Sequence, residues 1–224
     1  MEIIDLSKVI TNGSHAHVTT TIAPLVDIGE AAAKFDSPCE GFAAKLLVMS
    51  DHCGTHMDAP CHFIRDGETI EQLSLSRMAG PAVVCDLSEI EGDEIHGEDM
   101  QKALDQMPIK IRPGGFVLLK TRLGEGPGKG LSRSAAEQLV QLGVSLVGTD
   151  NGGIDIGRNH DRPGHMTLLG NNVLIVESLV NLDRLLGQEF LFVVLPLAIE
   201  GGTGSPVRPI AISPYIEASW PVIR

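Results

Sequence analysis

Between Asp51 and Phe63 the chain reads Asp-His-Cys-Gly-Thr-His-Met-Asp-Ala-Pro-Cys-His-Phe, so three histidines and an aspartate fall within the eleven residues from His52 to His62. Neutral imidazoles and a carboxylate are together the donors that zinc, manganese or iron(II) accept, with coordination positions left for water. The spacing points to a shared target. His52, His56, Asp58 and His62 all occupy even positions, and alternate side chains of an extended segment point to one side, so the pattern predicts a strand with a ligand-bearing face. Cys53, Thr55, Met57, Ala59 and Cys61, on the odd positions, are small or apolar and suit its packed back. A helix fits less well, because it would turn Asp58 away from His52 and His56, and Gly54 and Pro60 both weaken it. The competing chemistry is a cysteine nucleophile, Cys53 or Cys61, beside a histidine. The same alternation aims those thiols away from the imidazoles.

Two residues far along the chain call for a similar partner. Glu177 closes the run Asn-Asn-Val-Leu-Ile-Val-Glu, and a carboxylate buried at the end of so apolar a segment costs on the order of several kcal/mol unless something compensates it. A cation would. His165, in Arg162-Pro-Gly-His-Met-Thr-Leu-Leu, lies just upstream in what reads as a loop able to reach the same place. His15, His17, His96 and His160 have no such context and read as surface residues.

The elements that must position these groups follow from the apolar pattern. Runs bounded by turn residues predict buried strands at Lys45 to Ser50, Pro81 to Leu87, Gly115 to Thr121, Val144 to Thr149, Asn172 to Glu177 and Phe190 to Leu197. A helix is expected from Ser134 to Leu142, with Ser134 and Glu137 as a capping box and Gly143 as the stop. A second is expected from Glu98 to Met107, ended by Pro108. Strand, helix and strand across 115–149 read as a βαβ unit in a mixed sheet, which makes the fold α/β. The glycine-rich stretch 123–130 lacks both the Walker spacing and the dinucleotide fingerprint and reads as a mobile surface loop.

Bulk properties narrow the function. A chain of 224 residues suits one domain spanning 1–224. It has 43% hydrophobic and 21% charged residues and no apolar stretch of the ~18 residues that suggest a membrane span. A net charge of -12, with 17 scattered lysines and arginines, argues against nucleic acid and for small-molecule partners. The start has no signal-like pattern, so the cytoplasm is the expected location. The four cysteines form no C-x-x-C pair and are expected to be reduced thiols.

The segment His52-Cys-Gly-Thr-His-Met-Asp-Ala-Pro-Cys-His62 resembles the H-x-G-T-H-x-D-x-P-x-H signature of the cyclase family of metal-dependent hydrolases, which includes bacterial kynurenine formamidase and isatin hydrolase. Further similar stretches are Asp5-Leu-Ser7, Gly80-Pro-Ala-Val-Val84, Val147-Gly-Thr-Asp150 with Ile154-Asp155, His165 with Leu168-Leu169, Glu177 to Asp183, and Gly204-Ser-Pro-Val-Arg208. The resemblance implies a swivelling β/β/α-type domain, with a mixed sheet, a barrel-like core and surrounding helices, assembled as a homodimer or homotetramer.

Carried over residue by residue, it implies that His52, His56 and Asp58 hold a first zinc or manganese ion. Asp58 would bridge to a second ion on His165 and Glu177, as in the formamidases, whereas isatin hydrolase-like members use one. His62 would be the catalytic proton shuttle, and Gly54 would let the backbone pass close to the metal. Gly204 to Arg208 reads as a tight turn. The implied reaction is hydrolysis of a C-N bond in a small amide, formamide or lactam by metal-activated water. Kynurenine formamidase proper, a cyclase or dehydratase activity, and metal binding without catalysis are the alternatives. The formamidases carry Trp-Pro-Gly-Asp where this chain reads approximately Thr21-Ile-Ala-Pro-Leu-Val-Asp27, and its only tryptophan is Trp220. Phe35, Phe42 and Phe63 are the candidates for a substitute substrate wall.

Overall fold

The segment Phe116–Lys120 is buried at every position, as a parallel strand covered on both faces must be. It is the middle of the sheet. The computed structural model describes residues 1–13, 19–31, 34–122, 124 and 126–214. Its strands are β1 (Glu2–Asp5), β2 (Thr21–Val26), β3 (Ala44–Val48), β4 (His56–Asp58), β5 (Ala79–Asp86), β6 (Glu94–Ile95), β7 (Phe116–Lys120), β8 (Gly130–Leu131), β9 (Leu146–Thr149), β10 (Leu174–Glu177), β11 (Phe190–Val193), β12 (Gly204–Pro206) and β13 (Ile210–Ser213). The α-helices are α1 (Ile28–Ala31), α2 (Gly97–Gln106), α3 (Arg133–Gln141) and α4 (Pro163–Gly170).

Nine strands form one curled mixed sheet in the order β1-β13-β11-β5-β7-β9-β10-β4-β12. Its centre, β5 to β10, is parallel, and both flanks are antiparallel. This is the α/β architecture the sequence implies. Alternation sorts the side chains into two cores: Phe116, Leu118, Leu146, Leu174 and Val176 join one, with Phe190 and Phe192. Val117, Leu119, Val147 and Ile175 join the other, with Ala135, Leu139, Leu168 and Leu169 from the helices. Strand β7, helix α3 and parallel strand β9 realise the expected βαβ unit.

Local details differ from expectation. Helix α3 is capped by Ser132, whose hydroxyl accepts from the Ala135 amide at 3.3 Å, and not by Ser134. The Ser134 Oγ instead receives the Gly97 amide at the start of α2. Gly143 does stop α3, at a φ of 71°. The run Lys45 to Ser50 forms β3, but only as the partner of β2 in a separate two-stranded sheet. Its side chains are mostly exposed. The glycine-rich stretch is no loose loop where it is described. Lys129 is buried, its ammonium donating to the carbonyls of Ser88 at 2.7 Å and Thr121 at 3.0 Å. His96 and His160 are exposed as expected, whereas His15, His17 and Trp220 lie outside the described residues.

The signature segment is not one extended strand. His52 stands in a turn, only His56–Asp58 is a strand, and Pro60–His62 is a single 3-10 turn. Gly54 at a φ of 65° reverses the chain before β4, and Pro60, with no amide proton, ends the ladder after it. A Cβ at Gly54 would meet only Ile10, at 3.4 Å. Its glycine therefore serves a left-handed backbone and not a close approach to the site.

Candidate metal centre

Strand β4 is clasped between β10 and β12, with His56 opposite Glu177 and Pro206, and Asp58 opposite Ile175 and Gly204. Because alternate residues share a face, His56 and Asp58 point together while Met57 fills the core. Directly opposed residues point the same way, so Glu177 joins His56. His165 comes from helix α4 and not from a loop as its sequence suggested. That helix opens on Pro163, whose fixed φ suits a first helical position. Its first amides, Gly164 and His165, donate to the Asp155 carboxylate at 2.6 and 3.3 Å. A cap nine residues upstream leaves no local signature, which is why the helix escapes sequence pattern.

The groups converge closely. His56 Nε2 lies 3.5 Å from Asp58 Oδ1 and 3.4 Å from Glu177 Oε2. His165 Nε2 lies 3.4 Å from Asp58 Oδ2 and 3.2 Å from Glu177 Oε1. His52 Nδ1 is 2.8 Å from Asp58 Oδ1. His52, His56 and Asp58 present ligand atoms that lie within 4.8 Å of one another, and so do Asp58, His62 and His165. His56, Asp58, His165 and Glu177 are all buried.

Proton accounting shows what the cluster lacks. The Gly54 carbonyl can only accept, so at 2.9 Å it fixes the hydrogen of His56 on Nδ1. The Asp155 carboxylate does the same for His165 at 2.6 Å. In their neutral form both rings therefore turn Nε2 lone pairs toward Asp58 and Glu177, which are acceptors too. Asp58 Oδ2 is buried without any hydrogen-bond donor. Facing acceptors at such distances need positive charge between them, and a divalent cation with nitrogen and oxygen ligands meets that need.

The local field makes the same demand for positive charge, favouring the protonated rings wherever no cation stands between the acceptors. Burial works to lower the His56 pKa, but Glu177 and Asp58 carry it up to about 9. Burial likewise opposes His165, which Asp155, Asp58 and Glu177 carry up to about 11. Against its own burial and the repulsion of Asp58, Glu177 is held below the usual carboxylate range by His165 and His56. Asp58 is depressed too, its burial outweighed by His165 and His52.

His62 stacks on His52 with ring centroids 3.9 Å apart. It behaves oppositely to its neighbours, because burial pushes its pKa down to about 4. Phe63 packs against both His62 and His165, each with a centroid separation of 4.4 Å. Phe35 and Phe42 meet each other edge to face at 6.1 Å and are exposed. No ring contact links them to the cluster among the described residues. The thiols are poorly placed for nucleophilic work: Cys53 is fully buried at 3.0 Å from the Thr20 hydroxyl, and burial raises Cys61. Residues that the composition of the signature does not reveal complete the surroundings. They are Asp155 behind His165, and Asp51, Thr203 and Gly204 around His52.

Residues 4–156 match the profile of the family described as "Putative cyclase". The chain is 32% identical over 219 residues to the isatin hydrolase of Roseibium aggregatum, covering 85% of this chain and 82% of that protein. It is 33% identical over 171 residues to the kynurenine formamidase of Salinibacter ruber, covering 73% of this chain and 77% of that one. Among solved structures, an isatin hydrolase bound to the product analogue thioisatinate superposes with a TM-score of 0.78 at 24% identity, over 96% of this chain and 93% of that one. A potential metal-dependent hydrolase with cyclase activity superposes with a TM-score of 0.73 at 25% identity, over 94% and 96%.

Proposed function

The chain belongs to the putative cyclase family, and from that premise we propose that it is a metal-dependent hydrolase cleaving a C-N bond of a small amide, formamide or lactam. The observation that carries this reading is the convergence of imidazole nitrogens and buried carboxylates at Asp58, within a chain related to isatin hydrolase and kynurenine formamidase. His52, His56 and Asp58 would hold a zinc or manganese ion, and Asp58, His165 and Glu177 a second. One or two ions per subunit fit the donor set. When bound, such an ion supplies Lewis acidity and makes water nucleophilic near neutral pH.

The chain's own groups do the rest. His62 sits at the edge of the cluster, stacked on His52. Its half-buried ring is uncharged at neutral pH and able to receive the proton of the attacking water, then deliver it to the leaving nitrogen. The balance is one water consumed per amide, giving a carboxylic acid and an amine. Phe63 offers the substrate an apolar face beside His62. Phe35 and Phe42 remain candidates for an outer wall.

Assembly as a homodimer or homotetramer is supported by the β2–β3 hairpin, which exposes Leu25, Leu46, Leu47 and Val48. Two strands alone are marginal in water. No disulfide joins the four cysteines, which supports a cytoplasmic place. No helix among the described residues is long and apolar enough to cross a membrane.

A second reading, kynurenine formamidase proper, is favoured by the relatives of that name and by the presence of His165 and Glu177 beside the first triple. Stripping the protein with a chelator and restoring zinc or manganese, on a panel of formanilides, lactams, isatin and N-formylkynurenine, tests both. Hydrolysis lost on stripping and regained with metal is the expected result. Turnover indifferent to chelation, or none on the whole panel, would overturn the assignment.

A further inference from the structure

His52 is supplied by a turn, not by a strand or helix, so something outside the ladder must hold its ring. Two residues do. His52 Nε2 lies 2.9 Å from Thr203 Oγ1, and that hydroxyl lies 2.8 Å from Asp51 Oδ2. The Thr203 amide donates to the same carboxylate oxygen at 3.1 Å. A carboxylate accepts only, so the threonine gives its single hydroxyl proton to Asp51. Its oxygen can then only accept from His52, whose hydrogen must sit on Nε2. In the neutral ring the lone pair is then on Nδ1, which faces Asp58 Oδ1 at 2.8 Å. His52 thus presents the opposite nitrogen to the one presented by His56 and His165.

Packing holds the ring in that orientation. A Cβ on Gly204 would lie 2.6 Å from His52 Cε1 and 2.7 Å from the Met57 carbonyl. Strand β12 can therefore bring Thr203 against the imidazole only because the next residue has no side chain. The far face of the ring is taken by His62 at 3.9 Å, so a turn of His52 would displace His62 as well.

We propose that Asp51 and Thr203 are positioning residues: a carboxylate-hydroxyl-imidazole relay that fixes His52 as its Nε2-H tautomer and makes Nδ1 its metal-binding atom. The inference rests on the metal-hydrolase reading. Partners of this kind orient a ligand ring and raise its basicity, and their loss commonly weakens metal binding by ~10- to 100-fold.

The test compares Thr203→Val, Thr203→Ser and Asp51→Asn with wild type, by zinc titration of chelator-stripped protein and by nitrogen-15 NMR of the histidine rings in the zinc-loaded protein. Thr203→Val should weaken zinc binding by roughly tenfold or more and shift the Nε2-H resonance of His52, which loses its acceptor. Thr203→Ser, which keeps the hydroxyl, should restore both. Asp51→Asn should weaken binding while circular dichroism stays that of the wild type. Zinc affinity in Thr203→Val equal to wild type, or a Thr203→Ser variant as weak as Thr203→Val, overturns the relay. A His52 signal showing Nδ1-H in the wild type does so as well. Wild-type protein that takes up no zinc would instead sink the reading beneath it, so the two failures are told apart.

Discussion

The wall that carries His56, Asp58 and Glu177 and the hairpin of β2 and β3 are both antiparallel sheet, yet they hold their side chains in opposite ways. In the wall, β4 is paired on both edges and every one of its residues is buried. In the hairpin, two strands pair only with each other and leave Leu46, Leu47 and Val48 about half exposed. A site whose acceptors must stand 3–4 Å apart needs the first kind of support, because a small displacement changes every electrostatic term in it. The second kind suits a segment that finishes its packing against another surface. The site and the hairpin are therefore expected to respond separately to mutation.

The largest effect should come from the wall. His56→Ala removes a buried ring whose Nε2 lies within 3.5 Å of both Asp58 and Glu177. It should strip the metal and abolish hydrolysis, checked by elemental analysis and assay on one preparation. Unchanged metal content in that variant would break the ligand assignment. His62→Ala should keep the metal and lower kcat by roughly 10²-fold or more, the scale of a missing general acid or base. If the metal leaves with His62, the ring belongs with Asp58 and His165 as a ligand.

Asp155→Asn sharpens the comparison further, because Asp155 both caps α4 and fixes the His165 tautomer. Metal affinity should drop by roughly tenfold or more, read by competition with a chelator, with the first triple left intact. On the hairpin, Leu47→Asp should leave metal content untouched and shift the oligomer toward smaller species in light scattering. A monomeric wild type, or an assembly indifferent to this charge, would show that the hairpin packs on nothing.

How much of this was legible in the chain differs by region for physical reasons. The convergence of His52, His56 and Asp58 was legible because histidine and carboxylate clusters are rare without a task. The central strands showed through because burial on both faces leaves continuous apolar runs such as Phe116–Lys120. The geometry of the signature differs from its pattern: the even positions do converge, but through a turn at Gly54 and a 3-10 turn after Pro60 and not through one pleated strand. Helix α4 stayed hidden because Gly164 and Gly170 lower its propensity and its cap comes from Asp155. Strand β12, expected as a tight turn, is too short and too rich in glycine and proline to show a period. Thr203, 151 residues from His52, could be found only in three dimensions.

The smallest effect concerns the substrate, and it tests whether the exposed region tunes what the buried wall does. Where the formamidases carry their tryptophan, this chain has the exposed strand Thr21–Val26, while the aromatic ring that touches the cluster's histidines is Phe63. An aromatic platform is worth ~0.5–1.5 kcal/mol beyond simple burial, which corresponds to about a tenfold preference at the upper end. N-formylkynurenine should therefore trail isatin or a simple lactam by about that factor in kcat/KM. Replacing Phe63 by leucine should lower kcat/KM for aromatic substrates more than for aliphatic lactams, with metal content unchanged. If N-formylkynurenine instead leads the panel, approaching ~10⁵ M⁻¹s⁻¹, the lost tryptophan has been replaced. Phe35 and Phe42 would then be the first residues to mutate.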